Sequence, residues 1–216
     1  MRYVVLLALL AAPLAHAENG LDGLGHVSVG GGFRWIPNWW FRSKAAEFGT
    51  PVSNTTIDGG PQGTASFGLG VTANLVVAID AVFGYQSFSL NREDGGVDNY
   101  SSTFGAVMLG ARLGGADVLF KGFMPYIQVQ VGPSLSILGG PREVIPEKAI
   151  FAISASGGAT YRFSRSYGIT LDVRYVQARN SVPEISGINV GGVWFSAMFT
   201  IFFPPSPKAD LGTSSF

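Results

Sequence analysis

His26 and Ser28 lie two residues apart near the amino terminus, the spacing of a general base and a nucleophile. Such a pair works only when the two side chains meet within about 2.6–3.2 Å. A single histidine on a strand is more often a hydrogen-bonded polar residue than a catalyst. The chain has no Cys, which excludes a thiol nucleophile, disulfides and thiolate metal sites. We therefore predict no catalytic residue, no metal site and no cofactor.

Six charged side chains share even-numbered positions in segments of alternating polarity: Arg34, Asp80, Arg112, Arg162, Asp172 and Arg174. Buried charges are costly unless they are paired, so opposite charges on one enclosed face should find each other or water. We expect a structural ion network there; the alternative is an anion-selective path lined by the excess of two arginines. Glycines on the same face leave either room for a small cavity or closer backbone packing.

A second cluster lies in a long predicted loop and combines aromatic and basic side chains: Trp39, Trp40, Arg42 and Lys44. Arginine and lysine beside exposed aromatic rings suit the phosphates of lipopolysaccharide, so these residues are candidate lipid contacts. The alternative is that the two tryptophans only belong to an interfacial aromatic ring.

These side chains must be positioned by strands, because the chain alternates apolar and polar residues with a period of two. Eight such segments can be marked: 25–36, 63–75, 77–88, 102–113, 123–138, 149–163, 167–179 and 189–203. All eight are longer than the roughly 9–11 residues that a tilted strand needs to cross a bilayer. Apart from Arg179 at the end of its segment, the odd-numbered positions carry no charged residue.

A charge-free face indicates contact with lipid, because an arginine or lysine facing lipid at mid-bilayer costs about 2–4 kcal/mol. The connections alternate in length, which is typical of barrels with long extracellular loops and short periplasmic turns. We expect three-residue turns closed by pairing Ala73 with Val77 and Phe163 with Tyr167, and a longer turn at 114–122. Aromatic residues flank both ends of the outer face. The alternative is a soluble periplasmic binding barrel that buries the odd face.

The chain resembles the small eight-stranded outer-membrane proteins, the class that includes the transmembrane domain of OmpA, OmpX and OmpW. Two stretches carry the resemblance: the strand opening 123–132 (FMPYIQVQVG) and the last strand from Val193 to Phe203, similar to the signal read by the barrel-assembly machinery. The resemblance implies an all-β, eight-stranded antiparallel up-and-down transmembrane β-barrel. It also implies that this machinery is a partner during biogenesis. Deacylases among such barrels use a His-x-Ser pair on the last strand, whereas His26 lies on the first.

Composition agrees with an exported barrel. Glycine is about twice its usual share of roughly 7%, and charged residues make up 13% of the chain against a usual value of about 25%. A chain with no net charge does not suit nucleic acid. Arg2, an apolar stretch and Ala15-His16-Ala17 have the order of a signal peptide, whereas the apolar stretch is too short for a membrane helix. We predict a signal peptide at 1–17, a barrel at 18–203 and a Pro/Ser-rich periplasmic tail at 204–216.

The predicted function is that of a monomeric, non-enzymatic protein of the cell outer membrane, in contact with lipid and lipopolysaccharide, with an envelope-structural or surface-interaction role. The alternative is a narrow channel or carrier for small solutes through a lumen lined by glycine and arginine. Conductance in a planar bilayer separates the two.

Overall fold

The computed structural model describes residues 21–36, 52–56, 59–92, 95–139, 144–182 and 185–203. The predicted signal peptide, the Trp39, Trp40, Arg42 and Lys44 cluster and the predicted tail lie outside these residues. In the described ranges, no helix has the length and apolar character needed to span a membrane. The strands there are β1 (Gly25–Trp35), β2 (Val52–Thr56), β3 (Gly60–Gly70), β4 (Leu75–Arg92), β5 (Val97–Gly114), β6 (Phe123–Gly139), β7 (Val144–Arg162), β8 (Tyr167–Val182), β9 (Ile185–Asn189) and β10 (Gly192–Phe203).

Eight of these strands form one closed barrel. The antiparallel pairings run β10–β1–β3–β4–β5–β6–β7–β8, and β8 also pairs with β10, which closes the sheet on itself. The short strands β2 and β9 pair with β4 and β8 beyond the barrel wall. Full closure removes the exposed sheet edges that would otherwise template aggregation. The predicted all-β, eight-stranded, up-and-down antiparallel barrel is therefore confirmed.

The barrel has two ends, which we name by their connections. The turn end carries residues 71–74, 115–122 and 163–166, together with the start of β1 and the end of β10. At this end the predicted pairing of Phe163 with Tyr167 is confirmed, because the amide of Phe163 donates to the carbonyl of Tyr167 at 3.2 Å. The pairing of Ala73 with Val77 is wrong, since Val77 pairs with Leu69.

That shift of register has a local cause in Thr72. Its hydroxyl oxygen accepts hydrogen bonds from the amides of Asn74 and Leu75, at 3.3 and 3.1 Å, which closes the turn before Ala73 can join the strand. Ser164 closes the β7–β8 turn in the same way, through the amides of Ser166 and Tyr167. Because the alternation of apolar residues continues through 71–75, the end of β3 at Gly70 cannot be located from the sequence pattern.

The opposite end, the loop end, has longer strands than predicted. β4 and β5 stay paired as far as Asn91 and Val97, whereas the segments were expected to stop at 88 and start at 102. Backbone pairing continues there although the apolar–polar alternation has faded. The predicted segment 189–203 is also divided: Asn189 ends β9, and β10 begins at Gly192.

The period-two alternation separates the interior from the exterior. In β3 the even residues Gln62, Thr64 and Ser66 are buried, whereas Phe67 and Leu69 are exposed. The exterior is a continuous apolar surface, and none of its described strand side chains is charged. The alternative that buries the odd face is therefore wrong. Aromatic rings lie on this surface near both ends of the barrel. Those toward the loop end are Phe33, Trp35, Tyr85 and Tyr175, and those toward the turn end are Phe163, Tyr167 and Phe203.

Candidate functional site in the barrel interior

Large side chains fill the interior in three groups between the loop end and the turn end. We call them the loop-end layer (Arg34, Phe104, Trp194), the central network (Asp80, Arg112, Gln128, Asp172, Arg174) and the turn-end layer (Leu21, His26, Tyr126, Phe202). All of these side chains are buried. An eight-stranded barrel has an interior just wide enough for side chains to fill it.

Arg34 is the centre of the loop-end layer. Its guanidinium donates to the carbonyl oxygens of Gly84, Ser102, Val190 and Gly191 and to the hydroxyl of Ser102. The Cζ atom lies 5.5 Å from the ring centroid of Phe104 and 5.4 Å from that of Trp194, within the range of cation–π attraction. Carbonyl oxygens and aromatic faces thus stabilise the positive charge of Arg34, which has no carboxylate partner among the described residues.

The central network is built on two ion pairs that share one arginine. Arg174 on β8 contacts Asp80 on β4 through its NH2 group, and its Nε lies 3.4 Å from Asp172 Oδ1. Tyr126 donates its hydroxyl hydrogen to Asp172 Oδ2 at 2.9 Å. Because β4 and β8 are not neighbours in the sheet, the contact between Arg174 and Asp80 crosses the interior.

Arg112 joins the central network through an amide. Gln128 accepts from Arg112 Nε at 2.8 Å and donates to Asp80 Oδ2 at 3.2 Å. The Cζ of Arg112 lies 4.1 Å from the ring centroid of Tyr126, which is itself bonded to Asp172. The contacts therefore close a ring that runs from Arg112 through Gln128, Asp80, Arg174, Asp172 and Tyr126 back to Arg112.

The turn-end layer covers the other side of this ring. Arg112 NH1 lies 3.0 Å from His26 Nε2, and the imidazole lies 6.3 Å from the ring of Phe202. Leu21 is buried, and its amide donates to the carbonyl of Ala73 at 2.8 Å, which places the chain before β1 across the opening. A cavity of about 30 Å³ lies among these residues, enough for one or two water molecules.

The six charged residues expected to interact do not all meet. Asp80, Arg112, Asp172 and Arg174 are brought together, whereas Arg34 and Arg162 lie outside the central network. Trp194 lies between Arg34 and Arg174 in the register of β1, β10 and β8. Arg162 lies at the turn end, where it donates to the carbonyls of Ser164 and Arg165 and covers the ring of Phe202. The expectation of one network of six is corrected accordingly.

Inward glycines lie where the largest interior side chains need space. A Cβ on Gly84 would lie 2.8 Å from Arg34 Cδ and 2.9 Å from Trp194 Cη2. On Gly68 it would lie 2.2 Å from the His26 ring, and on Gly158 it would lie 2.7 Å from the Tyr126 hydroxyl. At these positions the absent side chains do not leave a cavity, because neighbouring residues occupy the space.

The His26 and Ser28 side chains have separate partners, His26 with Arg112 as described above. Ser28 Oγ lies 2.8 Å from Thr200 Oγ1, within a chain of hydroxyl groups that continues through Thr170 to Thr160 across four strands. His26 and Ser28, whose spacing suggests a base and a nucleophile, are thus each engaged in a separate structural contact.

Six members of these layers were not singled out from the sequence: Leu21, Phe104, Tyr126, Gln128, Trp194 and Phe202. All but Leu21, which precedes β1, occupy even-numbered strand positions, so the alternation assigns them to the interior. A large ring on a face otherwise rich in glycine and serine is the signal that predicts a plugged lumen. Their partners across the barrel depend on closure and register, which the alternation does not contain.

Solved structures show which fold this chain shares. The outer membrane protein OprG from Pseudomonas aeruginosa superposes with a TM-score of 0.51 at 12% identity, covering 84% of this chain and 97% of that one. Ail, the attachment invasion locus protein of Yersinia pestis, gives 0.47 at 9% identity, with 84% and 98% coverage. Neisserial surface protein A gives 0.46 at 10% identity, with 84% and 95% coverage. No family model and no curated protein matches the sequence. The chain has the fold of the small eight-stranded outer-membrane barrels.

Proposed function

We propose that this protein is a non-enzymatic, monomeric β-barrel of the bacterial outer membrane with an envelope-structural or surface-interaction role. The observation that carries the proposal is the apolar exterior, on which the described strand positions are uncharged while the charged residues turn inward. In water, such a surface would be an aggregation liability. In a bilayer it avoids the cost of about 2–4 kcal/mol for each lipid-facing cation.

The filled interior supports a closed rather than a conducting barrel. The loop-end layer, the central network and the turn-end layer each bring together side chains from several strands, and Arg34 and Trp194 are almost fully buried. An ion crossing the barrel would have to displace the Arg174–Asp80 pair and the Arg34 contacts. Function then lies in the loops that the barrel presents and in the stability that it lends to the envelope.

A narrow channel remains the second candidate, because part of the central interior lacks protein partners. Among the described residues, Asp80 Oδ1, Gln130 Nε2 and Arg174 NH1 are buried without a hydrogen bond. Buried polar atoms of this kind usually bind water. A line of such waters joined to the turn-end cavity would be the start of a path for small solutes.

Planar-bilayer recordings of the folded protein test the closed barrel against the channel. The closed barrel predicts no sustained current. A sustained current that changes with Arg174→Gln would support the channel and contradict the proposal. Arg165→Gln, which changes a turn residue outside the barrel interior, is the matched control.

The proposed surface role includes lipopolysaccharide as a partner of Arg42 and Lys44, beside Trp39 and Trp40. Replacing both basic residues by alanine should weaken co-purification of lipopolysaccharide with the barrel. Arg165→Ala at the turn end should leave it unchanged. Equal lipopolysaccharide content in the wild type and the double variant would reject this contact and leave the tryptophans as an interfacial ring.

A further inference from the structure

The connection between β5 and β6, residues 115–122, exposes a large apolar tip at the turn end. Leu119 is 75% exposed and Phe120 is 54% exposed. The other two connections there, 71–74 and 163–166, read Val-Thr-Ala-Asn and Phe-Ser-Arg-Ser, so their central residues are small or polar. An adjacent leucine and phenylalanine at the tip of a turn require an apolar environment that the protein interior does not supply.

Phe120 is directed to the outer wall of the barrel. Its ring centroid lies 4.9 Å from that of Phe123 on β6 and 6.0 Å from that of Tyr161 on β7. Phe123 and Tyr161 are register partners with side chains on the exterior, and Tyr161 is exposed. The turn therefore continues the apolar exterior beyond the last paired residues of the two strands.

Hydrogen bonds hold the turn in this position. The carbonyl of Gly122 accepts from the amide of Arg162 at 2.8 Å, and the amide of Phe123 donates to the carbonyl of Phe120 at 3.0 Å. Asp117 Oδ1 accepts from the amide of Gly122 at 2.5 Å. Gly122 has a φ of +84°, and a Cβ there would lie 2.3 Å from the Arg162 carbonyl oxygen, so this position requires glycine. The apolar tip is thus fixed beside the wall.

We propose that the 115–122 turn is a lipid-binding anchor that inserts Leu119 and Phe120 into the headgroup–acyl boundary of the leaflet at the turn end. The inference rests on the proposed membrane location. Lipid is the occupant because the tip is continuous with the aromatic surface of Phe123 and Tyr161, and aromatic side chains favour that interfacial region. Leucine and phenylalanine are also the residues with which surface-bound segments enter a membrane. The anchor would fix the depth and tilt of the barrel.

Spin labelling tests the anchor cleanly because the chain has no cysteine. Leu119→Cys is the test position, Ala73→Cys in the exposed 71–74 turn is the aqueous control, and Leu171→Cys on the outer face of β8 is the lipid control. Each full-length variant is folded into vesicles of phosphatidylcholine and phosphatidylglycerol, and folding is checked by gel mobility without boiling. The ratio of collision with oxygen to collision with a water-soluble nickel chelate should be severalfold higher at 119 than at 73. At 171 it should be the highest of the three.

The controls separate failure of the anchor from failure of the membrane location. A ratio at 119 equal to that at 73, with a high ratio at 171, would overturn the anchor and leave the proposed function intact. A label at 119 shielded from both reagents would overturn it in favour of a protein contact. A low ratio at 171 would contradict the membrane location itself.

Discussion

Arg174 on β8 and Asp80 on β4 form an ion pair across the interior of the barrel, between strands that share no backbone hydrogen bonds. The two residues are 94 positions apart in the sequence and almost fully buried. Backbone hydrogen bonds fix the spacing of neighbouring strands around the wall, whereas this ion pair fixes the distance between two opposite sides of the barrel. The pair therefore stabilises the cross-section of the barrel against flattening.

Removing one member of this pair should destabilise the barrel strongly. Arg174→Met leaves the carboxylates of Asp80 and Asp172 buried without their cation, and breaking a buried pair from one side costs about 3–5 kcal/mol. Asp80→Asn should cost less, because Asp172 still pairs with Arg174. Urea unfolding of the barrel in detergent micelles, followed by tryptophan fluorescence, measures both.

The double variant distinguishes a direct interaction from two separate effects. Asp80→Asn with Arg174→Met should be less destabilised than the sum of the single variants, with a coupling of about 0.5–3 kcal/mol. Arg165→Met removes a cation from the exposed β7–β8 turn and should lower the free energy of unfolding by no more than about 1 kcal/mol, the value of an exposed charge interaction. Additive single effects would show that the two side chains do not interact as the structure has them.

A second prediction concerns the part of the barrel interior next to Gly84, which Arg34 and Trp194 occupy. Gly84→Ala should destabilise the barrel by about 1–3 kcal/mol, because overpacking a filled interior displaces side chains from their preferred positions. Arg34 and Trp194, which the new methyl group would meet, are held by their own hydrogen bonds to carbonyl oxygens.

Gly105→Ala is the matched control for Gly84→Ala. A Cβ at this strand position would meet its nearest atoms at 3.9 Å, an ordinary contact. Since glycine within a strand is less stable than alanine by roughly 0.5–1 kcal/mol, this variant should be neutral or slightly stabilised. Equal unfolding midpoints for the two alanine variants would mean that the interior over Gly84 is not filled.

A third prediction tests whether the exterior faces lipid. Leu171→Arg places a cation in the outer face of β8, and in a bilayer it should lower the free energy of unfolding by about 2–4 kcal/mol. Val97→Arg, at the loop-end tip of the β4–β5 hairpin, should cost at most about 1 kcal/mol, since the penalty fades toward the interface. Both are measured by reversible denaturation in vesicles. Two variants as stable as the wild type would indicate that residue 171 faces water.

The strands of the barrel wall can be predicted from the sequence, because a side chain in a strand points either to the interior or to the exterior. The alternation in 123–138 predicted β6, which spans Phe123–Gly139. The pairing of Phe163 with Tyr167 also follows, because the apolar alternation ends beside Ser164. Thr72 is the same kind of signal in the β3–β4 turn, but the apolar residues around it continue the alternation past the strand.

Contacts inside the barrel do not follow from the sequence in the same way. Alternation directs Arg34, Arg112 and Arg174 inward but does not say which groups they meet. Their partners depend on how far each strand is displaced when the sheet closes. Arg34 therefore meets carbonyl oxygens and aromatic rings where ion pairs were expected, whereas Arg174 meets Asp80 from a distant part of the chain.

Gel mobility of the outer-membrane fraction, boiled against unboiled, is the most direct test of a closed barrel in the outer membrane. A closed barrel with a lipid-facing exterior should resist unfolding by detergent at room temperature and migrate differently until it is heated. We expect this shift in mobility for protein recovered with the outer membrane. Identical mobility in both lanes, with the protein released in the soluble periplasmic fraction, would contradict the membrane location and the lipid contacts proposed for the exterior.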